Sequence, residues 1–533
     1  MAHHKSEEDR IANDRNTARF CVENRQITWV LMIGIILWGA FGYYQMPKRK
    51  DPIFGATRSA VVCPWPGVSA DKVEQLVTKK IEAKVAGNVK ILKIESSSRS
   101  NLSVVLIALE ESTVSDVNKQ YDDIALRLNT INDLPPGAGP ITFLRDFGET
   151  AALMLTVGSP KAGAAEIAWR SDQIREALQA ERAKAPAGRR SAGIICFPLS
   201  VSPTIPRQDR DLFIQFAKDN NRGHNMVPIE GSGFVGVDGD FGSDDAATTE
   251  FTNKFLKERL RPSEIHPDIW PIAYVSDLSQ TDKALTAAAG DKYSLKELDD
   301  YTELIQRTLQ AVPEVSKVNR AGVLDERIFL EYSQDRLASM GIQPAALPQV
   351  LAQRNAIFPG GNLEVGGRNM LIDPSGEFHS EKDIGNILLG ATPRGAPIYL
   401  RDGVDISRGY AAPLYLNYYD SEDANGNWNR DHSITLSVFM REDRQIADFG
   451  KGVDKALASL RGQIPDDLIM ARTSDQPLQV KEIVGLFMRT LAEAIGLVVL
   501  LALIGFWEWR SAALMAVSIP LTLAMTFGMM DVL

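Results

Sequence analysis

The chain has 533 residues, enough for several domains, and a formal net charge of −10 without a long basic run, which argues against nucleic acid as a main partner. Cys21, Cys63 and Cys196 are too widely spaced for a disulfide framework or a zinc knuckle; a Cys63–Cys196 bridge stays open, and unpaired core thiols are the simpler expectation. The mean hydropathy of −0.12 would suit a soluble protein, but the apolar residues gather at the two ends.

Residues 1–26 form a polar stub. The stretch Ile27–Met46 then carries no charge and is long enough to cross the hydrocarbon core of a bilayer. Trp29 and the Tyr43–Tyr44 pair lie near its ends, where amphipathic rings suit the interfaces. Pro47 and Lys48-Arg49-Lys50 follow where a signal peptide would have a small-residue cleavage site, so the helix is expected to be retained. Arg10, Arg15, Arg19 and Arg25 before it balance Lys48, Arg49, Lys50 and Arg58 after it, and charge alone does not orient the segment.

Residues 47–140 read as a strand (Arg58–Trp65), a Pro66-Gly67 turn and a Ser69-capped helix ending at Gly87. Val73, Leu76, Val77, Ile81 and Val85 fall on one face of that helix. Two strands follow, joined through a turn at Arg99–Asn101, then a helix that stops before Leu134-Pro135-Pro136-Gly137 and a last strand. The order is βαββαβ, a ferredoxin-like unit. The same order recurs with interruptions over 141–330 and 421–480. It runs through a strand at Ala151–Gly158, a helix at Leu295–Ala311, a strand from Val315, a strand at Ser433–Met440, a helix from Phe449 and a strand near Asp467–Ala471. One detour, at about 160–292, alternates helices (from Ala165, Arg210 and Asp245) with strands (from Gly193, Gly233 and Ile269), as a small α/β insert would. The other, 331–420, has a short helix at Ala345–Asn355 and hairpin glycines over Pro359–Gly367. Apolar segments at 486–507, containing Glu493, and 512–531, containing Pro520, read as second and third membrane helices. The halt at Leu533 directly after the third leads us to expect a truncated chain.

Candidate chemistry is sparse. Asp238-Gly239-Asp240 with Asp244-Asp245, and the stretch Asp420–Asp431, have acidic spacings. Aligning Gly426 to a calcium-loop glycine puts Ser421 and His432 where Asp and Glu are needed, so solvated turns are expected and no metal site is assigned. His3 and His4 are weak as a metal-binding stretch, and His224, His266, His379 and His432 are scattered. No nucleophile–base arrangement and no phosphate-binding glycine loop are visible, so neither an enzyme nor an ATP-driven machine is expected.

Several short elements, in order, resemble the resistance–nodulation–division (RND) efflux permeases, in their hydrophobe/amphiphile, AcrB-like branch. They are Asp51-Pro52, Trp65-Pro66-Gly67-Val68-Ser69, Ile81-Glu82, Ser96-Ser97-Ser98 and Leu134-Pro135-Pro136, then Leu298–Tyr301 and Val315–Gly322. Asn355 with Pro359-Gly360-Gly361, Leu400-Arg401-Asp402 and Ser518-Ile519-Pro520 complete the set. The resemblance implies an α+β membrane protein. Three transmembrane helices would carry a periplasmic domain of two ferredoxin-like βαββαβ porter subdomains, with a docking-type subdomain at 331–420. The N-terminus would be cytoplasmic in the bacterial inner membrane. The complete pump would be a homotrimer working with a periplasmic membrane-fusion adaptor and an outer-membrane channel, exporting amphiphilic or hydrophobic compounds on the proton gradient, with no cofactor. Pocket positions that are aromatic in many drug pumps correspond to Ala152, beside Met154, and to Ala321. The aspartate pair of the family's proton relay lies in a fourth helix, so no relay residue is assigned here, Asp531 included. The insert at 160–292 is foreign to the typical drug pumps; a partner-binding module and a solvent-facing decoration are both open. A metal-ion exporter of the same superfamily would call for grouped methionines, and Met154, Met340 and Met370 show no grouping. A membrane-anchored assembly protein such as a polysaccharide chain-length regulator is the reading from another class.

Overall fold

The computed structural model describes residues 20, 24–46, 57–110, 114–145, 150–184, 190–241, 245–259, 266–355, 362–365, 368–371, 377–378, 380–391, 395–411, 415–422, 426, 428–441, 444–506 and 509–532. Cys21, Asp51-Pro52, His379 and Pro359-Gly360-Gly361 lie outside them.

After helix α1 (Arg25–Gln45) the first unit runs β1 (Arg58–Pro64), α2 (Ala70–Val85), β2 (Ile91–Arg99), β3 (Leu102–Leu109), α3 (Val114–Asn129) and β4 (Thr142–Leu144). Its sheet is antiparallel with the order β2-β3-β1-β4, as the βαββαβ pattern requires. Val77, Ile81 and Val85 of α2, with Val117, Tyr121, Ile124 and Leu128 of α3, press on Val61, Cys63, Val105 and Ile107 of the sheet. Leu76, expected on the same stripe, is 42% exposed. The turn Glu74–Thr78 is π-helical and takes an extra residue, so the stripe passes through Val73 and Val77 instead.

The second unit consists of β5 (Leu153–Gly158), α8 (Leu295–Gln310), β10 (Val315–Ala321), β18 (Trp428–Met440), α13 (Ile446–Ser459) and β19 (Ile469–Asp475). Its sheet order, β10-β18-β5-β19, is the same permutation as in the first unit, with β17 (Tyr418–Glu422) hairpinned onto β18. The two sheets therefore share one strand order. Leu298, Ile305 and Leu309 of α8 and Phe449 and Val453 of α13 bury Leu153, Leu155, Val157, Leu436 and Val438.

Between β5 and α8 lies the insert: α4 (Ala164–Ala183), β6 (Ser191–Cys196), α5 (Thr204–Asp219), β7 (His224–Gly231), β8 (Phe234–Asp240), α6 (Asp245–Glu258), β9 (Ala273–Val275) and α7 (Thr281–Ala287). Its sheet, β7-β8-β6-β9, repeats the permutation a third time. The sequence reading missed β7. The segment contains Pro228 and Asn225 at positive φ, and a register shift falls between His224 and Val227. Such features are tolerated on an edge strand, and β7 is one. Unlike the other two units, the insert covers both faces of its sheet. Ile167, Ile174 and Leu178 of α4 and Leu285 of α7 pack on Ile194, Cys196 and Phe234. Phe213 and Phe216 of α5 and Phe251 and Phe255 of α6 pack on the opposite side against Val237. Arg170 of α4 is 1% exposed. Its guanidinium donates to the carbonyls of Phe197 and Gly233, both at 2.8 Å, and to Glu166 at 2.7 and 3.0 Å, and it stacks 4.6 Å from the Trp270 ring.

Between β10 and β18 an arm departs and returns on a two-stranded ribbon, β11 (Glu326–Tyr332) against β16 (Val404–Tyr410). It carries α9 (Gln334–Ser339), α10 (Leu347–Arg354), the hairpin β12 (Asn362–Val365) and β13 (Arg368–Leu371), α11 (Glu381–Gly385), β14 (Leu388–Ala391), β15 (Pro397–Tyr399) and α12 (Leu400–Gly403). Leu337, Leu347, Ile384, Ile387, Leu400 and Val404 form its own small core.

At the C-terminal end, α14 (Gln476–Phe506) and α15 (Trp509–Val532) follow. Helices α1 and α14 have the length and apolarity to cross a membrane; α15 contains a shorter apolar stretch, Val517–Met530. Helix α14 starts ten residues before the predicted 486. It grows straight out of β19, where the Asp475 carboxylate caps it by accepting the Leu478 N–H at 2.9 Å and Val480 joins the core of the second unit. Helices α1 and α15 pack through glycines. A side chain on Gly39 would collide with the backbone of Ala524, and one on Gly42 would stand 2.7 Å from the Phe527 carbonyl oxygen.

Two outcomes follow from this packing. Gly39→Leu is expected to force α1 and α15 apart, and the disulfide yield between cysteines placed at positions 38 and 528 in membranes should fall to background. Arg170→Ala takes the guanidinium from the partly buried Glu166 carboxylate and leaves the Phe197 carbonyl without that donor, while the Gly233 carbonyl keeps the Phe197 N–H. Denaturant unfolding of segment 160–292, whose cores draw on no residue outside it, should show a loss of about 3–5 kcal/mol.

Candidate transport site

Among the described residues, each duplicated unit covers one face of its sheet with two helices and leaves the other without a helix, and in the second unit that face carries two of the three predicted pocket positions. Leu153, Leu155 and Val157 of β5 point into the core, so by the two-residue period Met154, Thr156 and Gly158 point away from it. The register extends this across the sheet. One rung runs Asn319–Ser437–Met154–Ser474 and the next Ala321–Thr435–Thr156–Ala471. Met154 and Ala321 thus share one open face. Ala152 does not join them. It precedes β5, is 4% exposed and sits in the core, its N–H given to the Val438 carbonyl at 2.9 Å and its carbonyl accepting from Gln476 at 3.0 Å.

The face is small and rich in hydroxyls. The Thr156 hydroxyl lies 3.0 Å from that of Thr435 and 3.4 Å from that of Thr473, and the Asn417 amide donates to the Thr435 hydroxyl at 3.0 Å. These two rungs carry no aromatic ring and no charge. The face can offer hydrogen bonds and one thioether; the flat apolar contact of an aromatic pocket is lacking. Sequence reading missed Thr156, Asn319, Thr435 and Ser437. The available signal was their alternation with core residues in LMLTVG and ITLSV. Nearby, Arg320 reaches the helix side of the sheet, where the Asp299 carboxylate holds it at 2.6 Å.

The acidic spacings have structural partners. Asp238, fully buried in β8, accepts from Arg182 at 2.9 and 3.1 Å and from Arg190 at 3.2 Å. Asp420 of β17 is paired to Arg430 of β18, the strand it lies against, at 2.8 and 3.0 Å. No group of three or more His, Cys, Asp or Glu arranged to hold a metal occurs among the described residues. Met340 lies in the arm beside Gly403 and Met370 in β13, away from Met154. Cys63 and Cys196 are free and buried in separate cores, the first unit and the insert, and burial pushes the Cys196 thiol up to about 12.

Two four-stranded units of one permutation, an arm on a ribbon and long apolar helices make up the fold. A solved heavy metal efflux pump shares it, with a TM-score of 0.57 over 97% of this chain and 38% of that one, at 17% identity. The chain belongs to the AcrB/AcrD/AcrF family, whose sequence profile matches residues 17–180 and 236–533. The unmatched 181–235 falls within the insert. Among curated relatives, the cobalt-zinc-cadmium resistance protein CzcA of Cupriavidus metallidurans is 24% identical over 303 residues, covering 54% of this chain and 27% of that protein. The cation efflux system protein CusA of Escherichia coli K12 is 24% identical over 274 residues, covering 50% and 24%. The multidrug resistance protein MdtC of Pectobacterium atrosepticum is 23% identical over 242 residues, covering 45% and 22%. The chain spans about a quarter of the length of the curated relatives it matches. The expected RND family holds; as for its branch, the cation pumps match over more of the chain than MdtC does.

The two alanines should respond differently to the same change. Ala321→Phe, on the exposed end of β10, should leave stability within about 0.5 kcal/mol while altering which compounds are exported. Ala152→Phe overpacks the core and should cost about 1–3 kcal/mol. Thermal unfolding alongside transport assays distinguishes them.

Proposed function

We propose that this chain is the cargo-handling part of an RND-type export permease of the bacterial inner membrane, and that its cargo is a metal cation. The observation that carries the reading is the family match, which runs through both duplicated units and the apolar helices. The cargo class is supported by the relatives that match over half of the chain, which are named for cobalt, zinc and cadmium or for cations. The open face is compatible with a passing cation: hydroxyl oxygens suit hard ions and the Met154 thioether suits soft ones. On the same reading the arm is half of a docking domain, the working pump is a homotrimer engaging an adaptor and an outer-membrane channel, and proton entry drives the cycle. Within the apolar helices, Glu493 is paired with Arg489 at 3.0 Å and is not assigned a relay role.

A second reading, export of amphiphilic compounds, is favoured by the absence of a grouped donor set among the described residues and by the MdtC relative. The family match removes support for a polysaccharide chain-length regulator.

The gene, expressed in a host stripped of its own export pumps, should raise tolerance to Co²⁺, Zn²⁺ or Cd²⁺ several-fold, and a protonophore should abolish the gain in export assays. Tolerance to amphiphilic dyes without cation tolerance would establish the second reading. Export that ignores the protonophore would overturn proton coupling.

A further inference from the structure

The insert enters and leaves the second unit through a closed neck. Lys161 and Asp291 form an antiparallel bridge, with Ala162 N–H to Gly290 O at 3.0 Å and Lys292 N–H to Pro160 O at 2.8 Å. Around it, the Lys161 ammonium lies 2.6 Å from Asp291 and 3.4 Å from Asp431, and the Asp291 carboxylate meets His432 Nδ1 at 2.5 Å. A neck of this kind fixes where the insert is attached but leaves its direction to other contacts.

Those contacts lie at one three-way junction. Asp268, on the loop between α6 and β9, is 5% exposed. One of its oxygens accepts the Leu295 N–H at the start of α8, at 2.9 Å, and the other accepts the Tyr410 hydroxyl from the end of β16, also at 2.9 Å. The Tyr410 oxygen in turn accepts the Lys296 N–H at 3.0 Å, and the His266 ring lies 5.2 Å from the Tyr410 ring. Ser200 of the insert donates to Ser294, the N-cap of α8, and lies 3.1 Å from Glu297. The first turn of α5 also reaches the ribbon: Ile205 Cδ1 stands 3.5 Å from the point a Cβ on Gly409 would occupy. One small patch of the insert therefore holds both the first turn of a porter-type helix and the base of the ribbon on which the arm is carried. A two-stranded ribbon alone is marginal in water and sets no firm direction.

We propose that the insert is a brace, which fixes the direction of the arm relative to the second unit through the Asp268–Tyr410–α8 junction. The role needs neither cargo nor proton flow. It also accounts for the insert's closed architecture, since a brace transmits force only if its own two faces are packed.

The junction is balanced against pH. Burial pushes the Asp268 carboxyl up to about 6, so its contribution to stability falls as pH rises from about 4 to 6 and is level above that. Burial pushes the His266 imidazole down to about 4, so its contribution rises over about pH 4 to 6.5 and offsets the first. Tyr410, Lys296, Glu297, Asp291, His432 and Glu326, which pairs with Tyr410 across the ribbon, are the other ionisable groups facing this point.

Hydrogen exchange on the full chain in nanodiscs tests the proposal. Tyr410→Phe and Asp268→Ala should speed exchange along β11, β16 and at Leu295 and Lys296 by about tenfold or more, since each removes two buried hydrogen bonds. Asp268→Asn, a neutral isostere that keeps an acceptor for Leu295, should restore slow exchange at Leu295. The melting temperature of this variant should fall as pH drops from about 6.5 to 4, a range in which wild type stays level, because the His266 contribution is no longer offset. Replacing 161–291 by a two-glycine link between Pro160 and Lys292 should leave β5, β18 and β19 protected while the ribbon loses protection, and spin labels on the arm and on the first unit should show a broadened distance distribution. A ribbon that exchanges at the wild-type rate after that excision, or point variants whose effects stay inside the insert, would overturn the brace.

Discussion

A four-stranded sheet with two helices on one side has a second face that it cannot bury by itself. The rest of this structure depends on how that face is treated. In the two duplicated units it stays bare, and the second unit turns it into a surface of threonines, serines, an asparagine and one methionine. Hydroxyl side chains make that tolerable: their polar atoms pair with one another, as Thr156 does with Thr435, or meet solvent, so the face needs no apolar cover. Under the proposed function, a cargo surface is a consequence of incomplete coverage. It is positioned by the same strands whose alternate residues make the core.

The insert resolves the same constraint in the opposite way. Helices α4 and α7 cover the face that the other units leave open, and the aromatic cluster of Phe213, Phe216, Phe251 and Phe255 fills the other side. Arg170 ties one layer together from inside, and the cation, its carboxylate and two carbonyls satisfy each other away from water. A domain complete in this sense can be spliced into a connection between β5 and α8 without disturbing either, provided its ends meet. The hydrogen bonds between Pro160 and Lys292 and between Ala162 and Gly290 make them meet.

The mechanical relations come from small polar contacts between units. Asp268 belongs to the insert, Leu295 to the second unit and Tyr410 to the arm, and a single carboxylate joins them. Likewise, Asp475 ends a strand and starts α14, so movement of the second unit's sheet is continuous with an apolar helix.

Periodicity was enough to read the strand and helix alternation along both βαββαβ orders, and length and composition were enough to mark the apolar segments. The stripe on α2 was read one position astray at Leu76 because a π turn leaves no mark on periodicity. Strand β7 was missed because its pairing to β8 overrides a proline and a bulge, and pairing is a property of two segments. The same limit separated the pocket candidates. Met154 and Ala321 are 167 positions apart and share a face only because β18 lies between β5 and β10, while Ala152, two residues from Met154, falls into the core. The sequence by itself determined which segments alternate and which are apolar throughout. Tertiary structure alone decided that the insert repeats the permutation of its hosts, covers both of its faces and leans on the arm, since those facts depend on pairings between separate segments, the Tyr410–Asp268 contact spanning 142 positions.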